Sequence, residues 1–283
     1  MIPLKFDYEV AESVEHAVEL LGRHGEEAKL LAGGHSLLPI MKLRLAAPAV
    51  LIDIGRLGDL SYVRDAGDYI AIGTLTRHSD VEHNALLQEQ CGILAYTASL
   101  VGDPQVRHRG TIGGSVAHAD PASDLPSVLL ALDADFVVRG SGGERTVAAR
   151  DFFQDYLQTA LSPDEVLTEI RVPKLGPDAG WAYQKFNRRA QDWAVVGVAA
   201  VVERQNGSIS SARIGLTNMG PTPLRASAVE GALSGADAGT VAEAAQSAAE
   251  GTSPASDVAA SAEFRRHLAR VLTRRALEEA LSR

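Results

Sequence analysis

The residues best suited to chemistry stand in two short segments that each contain a pair of glycines. The first is Ala32-Gly33-Gly34-His35-Ser36-Leu37, and the second is Thr111-Ile112-Gly113-Gly114-Ser115. Glycine has no Cβ, so another group can approach its backbone closely and a positive φ costs little. Successive N–H groups left free in such a turn form a concave site for anions. Two such segments favour an extended ligand with a pyrophosphate near its middle, although each alone is also typical of a tight turn without a ligand.

The other reactive side chains form no catalytic or metal-binding pattern. There is no Walker loop, no Gly-x-Gly-x-x-Gly fingerprint and no His-Glu-x-x-His pair. Gly34-His35-Ser36 is not a nucleophile elbow, because no glycine follows at the required distance after the serine. Cys91 is the single cysteine, which leaves no disulfide framework and no cysteine-held iron–sulfur cluster in this chain. The sequence therefore predicts neither a catalytic side chain nor a metal site.

Composition limits the class of protein. The chain has 283 residues, of which 46% are hydrophobic and 22% charged, so it can form one large domain or two modest ones around a normal core. A net charge of −9 without a basic stripe argues against nucleic acid as the main partner. No apolar stretch reaches the roughly 18 residues of a membrane span. The first seven residues do not resemble a signal peptide, and a cytoplasmic protein is expected.

Short elements are predicted around both glycine segments. A helix is expected over Ser13–His24, since Ser13 can cap it and Gly25 can end it. Strands are expected at 29–32, 50–54 and 69–73, and a short helix at 37–45 would begin directly after the first segment. The remaining expected elements are helices at 84–100, 125–132, 229–233, 241–250 and 263–281, a hairpin of 135–139 with 145–148, and strands at 166–172, 194–203 and 208–217, the last two joined by Asn206-Gly207.

The second segment continues in a way that is specific to one family. It ends in Asp120-Pro121-Ala122-Ser123-Asp124-Leu125-Pro126, and the whole stretch resembles the flavin loop in the FAD-binding medium subunits of molybdenum hydroxylases, such as carbon monoxide and xanthine dehydrogenases. The first segment resembles the other flavin loop of these subunits. Further similar residues are Thr76 and His78, and Asp192-Trp193-Ala194 after an arginine-rich turn. The resemblance covers nearly the whole chain.

The resemblance implies an α+β fold in two domains. Residues 1–175 would form a PCMH-type, vanillyl-alcohol-oxidase-like FAD-binding domain with two subdomains. Residues 178–283 would form a smaller domain like that of the carbon monoxide dehydrogenase flavoprotein, with an antiparallel sheet and helices. The flavin would lie between the two domains, as cofactors commonly do.

The resemblance also implies individual cofactor contacts. Residues 32–37 and 111–115 would bind the pyrophosphate and ribityl parts of FAD, and Asp124 would contact the adenosine end. Lys185 and Trp193 would lie near the isoalloxazine ring, where relatives of the carbon monoxide dehydrogenase branch usually have tyrosine or phenylalanine instead of Trp193. Alternatives stay open: Asp124 as the N-cap of a helix at 125–132, His78 as the cap of the next helix, and Lys185 with Arg188 and Arg189 as a solvated turn.

The implied function is electron transfer. The chain would be the FAD subunit of a molybdenum hydroxylase, passing electrons from a small iron–sulfur subunit to a quinone, NAD or another acceptor, while a large molybdenum-cofactor subunit oxidises the substrate. The subunits would form a dimer of heterotrimers in the cytoplasm, where the complex could lie against the inner face of the membrane. The alternatives are a stand-alone FAD-dependent oxidoreductase and a flavin-free scaffold subunit. The sequence reveals neither the substrate nor the acceptor.

Overall fold

Residues 2–283 are described by a computed structural model, and they form an α+β fold built on three main sheets. The first sheet is parallel, with the strand order β1-β3-β2. Its strands are β1 (Asp7–Val10), β2 (Ala28–Leu31) and β3 (Val50–Asp53), with helices α1 (Val14–His24) and α2 (Leu37–Lys42) between them. As predicted, Ser13 caps α1 by accepting a hydrogen bond from the N–H of His16, and Gly25 ends the helix at φ 56°.

The second sheet is antiparallel. A run of helices between two of its strands in the sequence contains the second glycine segment. The strand order is β4-β5-β10-β6-β7. The strands are β4 (Val63–Asp65), β5 (Tyr69–Gly73), β6 (Asp135–Gly140), β7 (Gly143–Ala148) and β10 (Val166–Pro173), with a small pair β8 (Phe153–Asp155) and β9 (Gln158–Thr159). The helices are α3 (His78–His83), α4 (Ala85–Gln90), α5 (Gly92–Ser99), α6 (Pro104–Arg107), α7 (Ile112–His118), α8 (Asp124–Ala131) and α9 (Ala149–Phe152).

The third sheet is antiparallel in the order β11-β12-β13-β14. Its strands are β11 (Ala179–Phe186), β12 (Val196–Gln205), β13 (Ser208–Thr217) and β14 (Leu224–Arg225), followed by α10 (Ser227–Leu233), α11 (Val241–Ala244) and α12 (Ala262–Ser282). The sequence did not predict β11 or β1. The helix expected at 241–250 is also shorter than predicted, because a 3₁₀ turn replaces its second half.

Both faces of the third sheet are buried, which joins the two halves of the chain. Alternating residues of β12 point to opposite sides. Val198 and Ala200 pack with the core around α12, whereas Ala199 and Val201 belong to the same core as the second sheet. Helix α8 lies against β13 so closely that a Cβ at Gly215 would be 2.0 Å from the carbonyl oxygen of Ser127. Within residues 2–283, no helix has the length and apolar character needed to cross a membrane.

Candidate functional site

The first glycine segment offers a run of free backbone donors. It connects β2 to α2, and Gly34 adopts a φ of 74°. Within residues 2–283, the successive N–H groups from Gly33 to Leu37 donate to no protein acceptor. The next amide, that of Leu38 in α2, donates to the carbonyl of Gly34 at 3.1 Å. Unpaired backbone N–H groups that converge in one turn bind anions. This segment therefore has the free N–H groups that an anion-binding turn requires, and the anion site itself stays a prediction.

The second glycine segment uses its amides internally. Thr111 is the N-cap of α7, and its Oγ1 accepts a hydrogen bond from the N–H of Gly114 at 3.2 Å. The amides of Ile112, Gly113 and Ser115 donate to backbone carbonyls at 3.0, 2.9 and 3.1 Å. The expectation of free N–H groups is therefore wrong for this segment, because the Thr111 hydroxyl caps one amide and the carbonyls of Thr74, Thr76 and Thr111 accept the others.

The glycines of the two segments differ in what surrounds them. A Cβ at Gly33 would lie 2.2 Å from the carbonyl oxygen of Arg109, and a Cβ at Gly113 would lie 2.3 Å from the Cβ of Thr74. These two positions are filled by protein. Gly114 is exposed, and a Cβ there would meet only the Oγ1 of Thr111, at 2.8 Å. Gly114 thus leaves an open backbone surface, and the Gly33 contact places the first segment directly against the residues that precede the second.

His78 and Thr76 are buried next to the start of the second segment. His78 is 5% exposed, and its ring fills the space where Gly110 would carry a Cβ, with Cδ2 at 2.8 Å. Burial lowers the pKa of His78 to about 4, with smaller contributions from His35 and Arg107. The side chain of Thr76 bonds to both backbone groups of Tyr62. The interpretation of His78 as a helix cap is wrong, since α3 begins at His78 and its N-cap is Arg77.

Asp124 and Lys185 form a buried ion pair. Lys185 Nζ donates to Asp124 Oδ2 at 2.8 Å, both side chains are 5% exposed, and the same ammonium donates to the carbonyl of Leu100 at 2.9 Å. The other carboxylate oxygen accepts from the hydroxyl of Tyr183 at 2.7 Å. Burial raises the pKa of Asp124 above its ordinary value, whereas Lys185 opposes this effect. The sequence predicted both charged residues but missed Tyr183, which is on the same face of β11 as Lys185.

Two of the alternative roles are excluded by this arrangement. Asp124 is the first residue of α8 and not its N-cap, a position that Ser123 occupies. Lys185 is not part of a solvated turn, because its ammonium group is buried. Arg188 and Arg189 are exposed and do belong to such a turn.

Trp193 is in the turn between β11 and β12 and is 68% exposed. It therefore lies outside the buried pair, at the end of the same strand that carries Lys185. Among residues 2–283, no group of acidic, histidine or cysteine side chains could hold a metal ion.

Comparisons with known proteins cover the whole chain. Residues 4–175 match the family model described as the FAD binding domain in molybdopterin dehydrogenase, and residues 181–280 match the CO dehydrogenase flavoprotein C-terminal domain. The chain is 43% identical to the carbon monoxide dehydrogenase medium chain of Hydrogenophaga pseudoflava, over 100% of this chain and 99% of that protein. It is 39% identical to the 6-hydroxypseudooxynicotine dehydrogenase complex subunit alpha of Paenarthrobacter nicotinovorans, over 100% and 97%.

The fold agrees with a solved relative. A structure of carbon monoxide dehydrogenase from Hydrogenophaga pseudoflava, which lacks the Mo-pyranopterin moiety of the molybdenum cofactor, superimposes with a TM-score of 0.98 at 45% identity. The match covers 100% of this chain and 99% of the other.

Proposed function

The chain belongs to the family of FAD-binding medium subunits of molybdenum hydroxylases, and we propose that the two glycine segments hold the cofactor in an electron-transfer role. The chain is accordingly an oxidoreductase subunit, and its cofactor is FAD. The single observation that carries the proposal is the run of free N–H groups from Gly33 to Leu37, in a segment that packs through Gly33 on Arg109, just before the second glycine segment. Backbone donors of this kind suit the charged oxygens of a pyrophosphate.

In this proposal the two segments contact different parts of FAD. We assign the phosphate contacts to the first segment, whose amides are free. The second contributes the accessible backbone of Gly114 and the half-exposed hydroxyl of Ser115, which suit a close approach of the ribityl chain. The assigned residues are Ala32, Gly33, Gly34, His35, Ser36, Leu37, Thr111, Ile112, Gly113, Gly114 and Ser115.

The Asp124–Lys185 pair changes one expectation of the sequence. An extended FAD has its adenosine and its ring at opposite ends, so two side chains bonded to each other cannot serve one end each. Lys185 lies on β11, the strand that leads into the turn of Trp193. We therefore assign the pair and Trp193 to the ring end, so that in this proposal Asp124 does not contact the adenosine.

The chain's own residues then act by position and charge. FAD supplies the electron exchange when it is bound. Asp124 and the carbonyl of Leu100 fix the ammonium group of Lys185 in one place. A fixed positive charge in a site shielded from water stabilises negative charge that develops beside it. The exposed indole of Trp193 can stack on a planar ring and donate one hydrogen bond.

The partners follow from the relatives, which are subunits of dehydrogenase complexes. In the proposal, a small iron–sulfur subunit delivers electrons, a large molybdenum-cofactor subunit oxidises the substrate, and quinone or NAD accepts the electrons. The complex would be a dimer of heterotrimers in the cytoplasm, with access to the inner face of the membrane. We also propose that the domains are residues 1–175 and 178–283.

The test replaces the open glycine. Gly114→Val places a branched side chain where the cofactor should approach, and we expect the purified chain, reconstituted with FAD, to lose its flavin absorbance. The matched control is Gly142→Val, since Gly142 is also an exposed glycine, has no atom within 4 Å of a Cβ, and lies in the turn between β6 and β7. Circular dichroism would verify folding of both variants. Full FAD occupancy in a folded Gly114→Val chain would sink the proposal.

A further inference from the structure

Asn218 connects the two halves of the chain at the proposed flavin site. It directly follows β13, and its backbone N–H donates to the carbonyl of Pro121 at 2.8 Å. Pro121 belongs to the stretch that continues the second glycine segment. The side-chain Nδ2 of Asn218 donates to the carbonyl of Ala194, also at 2.8 Å. Ala194 is the neighbour of Trp193, so one residue bonds both to the second flavin segment and to the Trp193 turn.

Asparagine is the residue type that meets both demands of this position. The φ of Asn218 is 62°, in the left-handed region that asparagine and glycine enter more easily than other residues. Its amide also supplies the donor that a carbonyl oxygen needs. Glycine would keep the backbone conformation but lose this donor. Aspartate would place an acceptor against an acceptor.

The remaining hydrogen bonds of the Trp193 turn stay within its own half of the chain. Val195 donates to the carbonyl of Phe186 at 2.8 Å and accepts from the buried guanidinium group of Arg265 on α12. Asn187 bonds to carbonyls inside the turn. Within residues 2–283, Asn218 is the one residue that hydrogen-bonds both to residues 187–195 and to the N-terminal half.

The junction itself does not depend on the Asn218 amide. The preceding residue, Thr217, bonds to Ser127 of α8 through the two buried hydroxyl groups, and Gly215 packs on the Ser127 carbonyl. The Asp124–Lys185 pair crosses the same junction. Removal of the amide should therefore loosen the turn while α8 and the third sheet stay together.

We propose that Asn218 is a positioning residue that fixes the Trp193 turn relative to the second flavin segment. The two parts of the site that receive the ring and the ribityl chain would thereby keep a constant spacing. The inference rests on the proposed function, because it takes Trp193 to lie at the ring end of FAD.

The experiment uses Asn218→Gly in the full chain, with Trp181→Phe added so that Trp193 is the single tryptophan. Without FAD, we expect lower fluorescence anisotropy of Trp193. With FAD, we expect weaker quenching of Trp193 and a dissociation constant about three- to tenfold higher, the range of one net hydrogen bond. Asn218→Asp should have the larger effect, because it opposes two acceptors.

The matched control is Asn206→Gly in the same background. Asn206 has a φ of 54° and lies in the turn between β12 and β13, so the substitution is chemically the same but far along the strand from the site. It should leave Trp193 anisotropy and FAD affinity unchanged.

Two results would overturn the inference: wild-type anisotropy and FAD affinity in Asn218→Gly, or failure of this variant to fold, since the junction should hold without the amide. Failure of the wild-type chain to bind FAD would refute the proposed function instead. The anisotropy of the FAD-free chain would still report whether Asn218 holds the turn.

Discussion

The two glycine segments have similar sequences but use their backbones in opposite ways. In the first, the N–H groups from Gly33 to Leu37 are free within the described part of the chain. In the second, Thr111 caps α7 and the following amides are bonded to protein. Acceptors account for the difference. The hydroxyl of Thr111 accepts the amide of Gly114, and backbone carbonyls accept the amides of Ile112, Gly113 and Ser115, whereas within residues 2–283 no acceptor meets the amides from Gly33 to Leu37.

The glycines of the two pairs are of two kinds, those packed against other protein atoms and the exposed Gly114. Glycine at position 33 or 113 is required by a neighbouring backbone or side chain at two or more atoms, whereas a Cβ at Gly114 would meet only the Oγ1 of Thr111. Substitution at these positions should therefore affect two different quantities. Packed glycines should control the free energy of unfolding, and the open glycine should control FAD binding.

The largest effect on stability is expected from Gly113→Ala. Its Cβ would lie 2.3 Å from the Thr74 side chain and 2.6 Å from the Thr74 carbonyl oxygen, so the backbone has to move. Overpacking of this kind costs about 3 kcal/mol. Urea unfolding would measure the loss, with Gly114→Ala as the matched control, for which we expect a change below about 1 kcal/mol. Equal losses in the two variants would contradict the distinction between packed and open glycines.

A smaller effect, dependent on pH, is expected from His78, which supports the second segment through Gly110. The pKa of this imidazole is about 4 in the folded chain, against an ordinary value of 6.5, because the ring is buried. The unfolded chain therefore binds more protons between these values, and stability is lost as the pH falls from 6.5 toward 4. Between pH 7 and pH 5 the loss due to His78 should be about 2 kcal/mol.

Urea unfolding of wild type and His78→Gln at both pH values would isolate this contribution. The variant should lose less stability on acidification than wild type. An identical loss in both proteins would show that His78 does not supply the pH dependence.

The parts of the fold that could be predicted from sequence are those with local signals. Helix α1 has its cap, its apolar spacing and its stop within Ser13–Gly25, and all three appear in the structure. Strand β1 has only four half-exposed or exposed residues, and it is a strand because β3 pairs with it. Strand β11 was missed because Tyr183 and Lys185, which face the N-terminal half, carry polar ends.

In the site, too, only the features with local sequence signals could be predicted. Both glycine segments are visible as short motifs, and Gly33 of the first packs on Arg109, two residues before the second begins. The pairing of Asp124 with Lys185 joins residues 61 positions apart, and no local pattern encodes such a contact. Whether the amides of a glycine pair are free also depends on acceptors elsewhere, such as the carbonyl groups of Thr74 and Thr76.

The smallest effect is expected from the cap that distinguishes the second segment from the first. Thr111→Ala removes the acceptor of the Gly114 amide and should cost about 1 kcal/mol of stability, while Thr111→Ser keeps the hydroxyl and should cost less. The phosphates are assigned to the first segment, so the loss of the Gly114 hydrogen bond should not alter their contacts. The FAD affinity of Thr111→Ala should therefore fall less than that of Gly114→Val. Thermal unfolding and FAD titration of the two variants would test this. A stronger loss of FAD in Thr111→Ala than in Gly114→Val would mean that the cap, and not the open glycine, is what the cofactor requires.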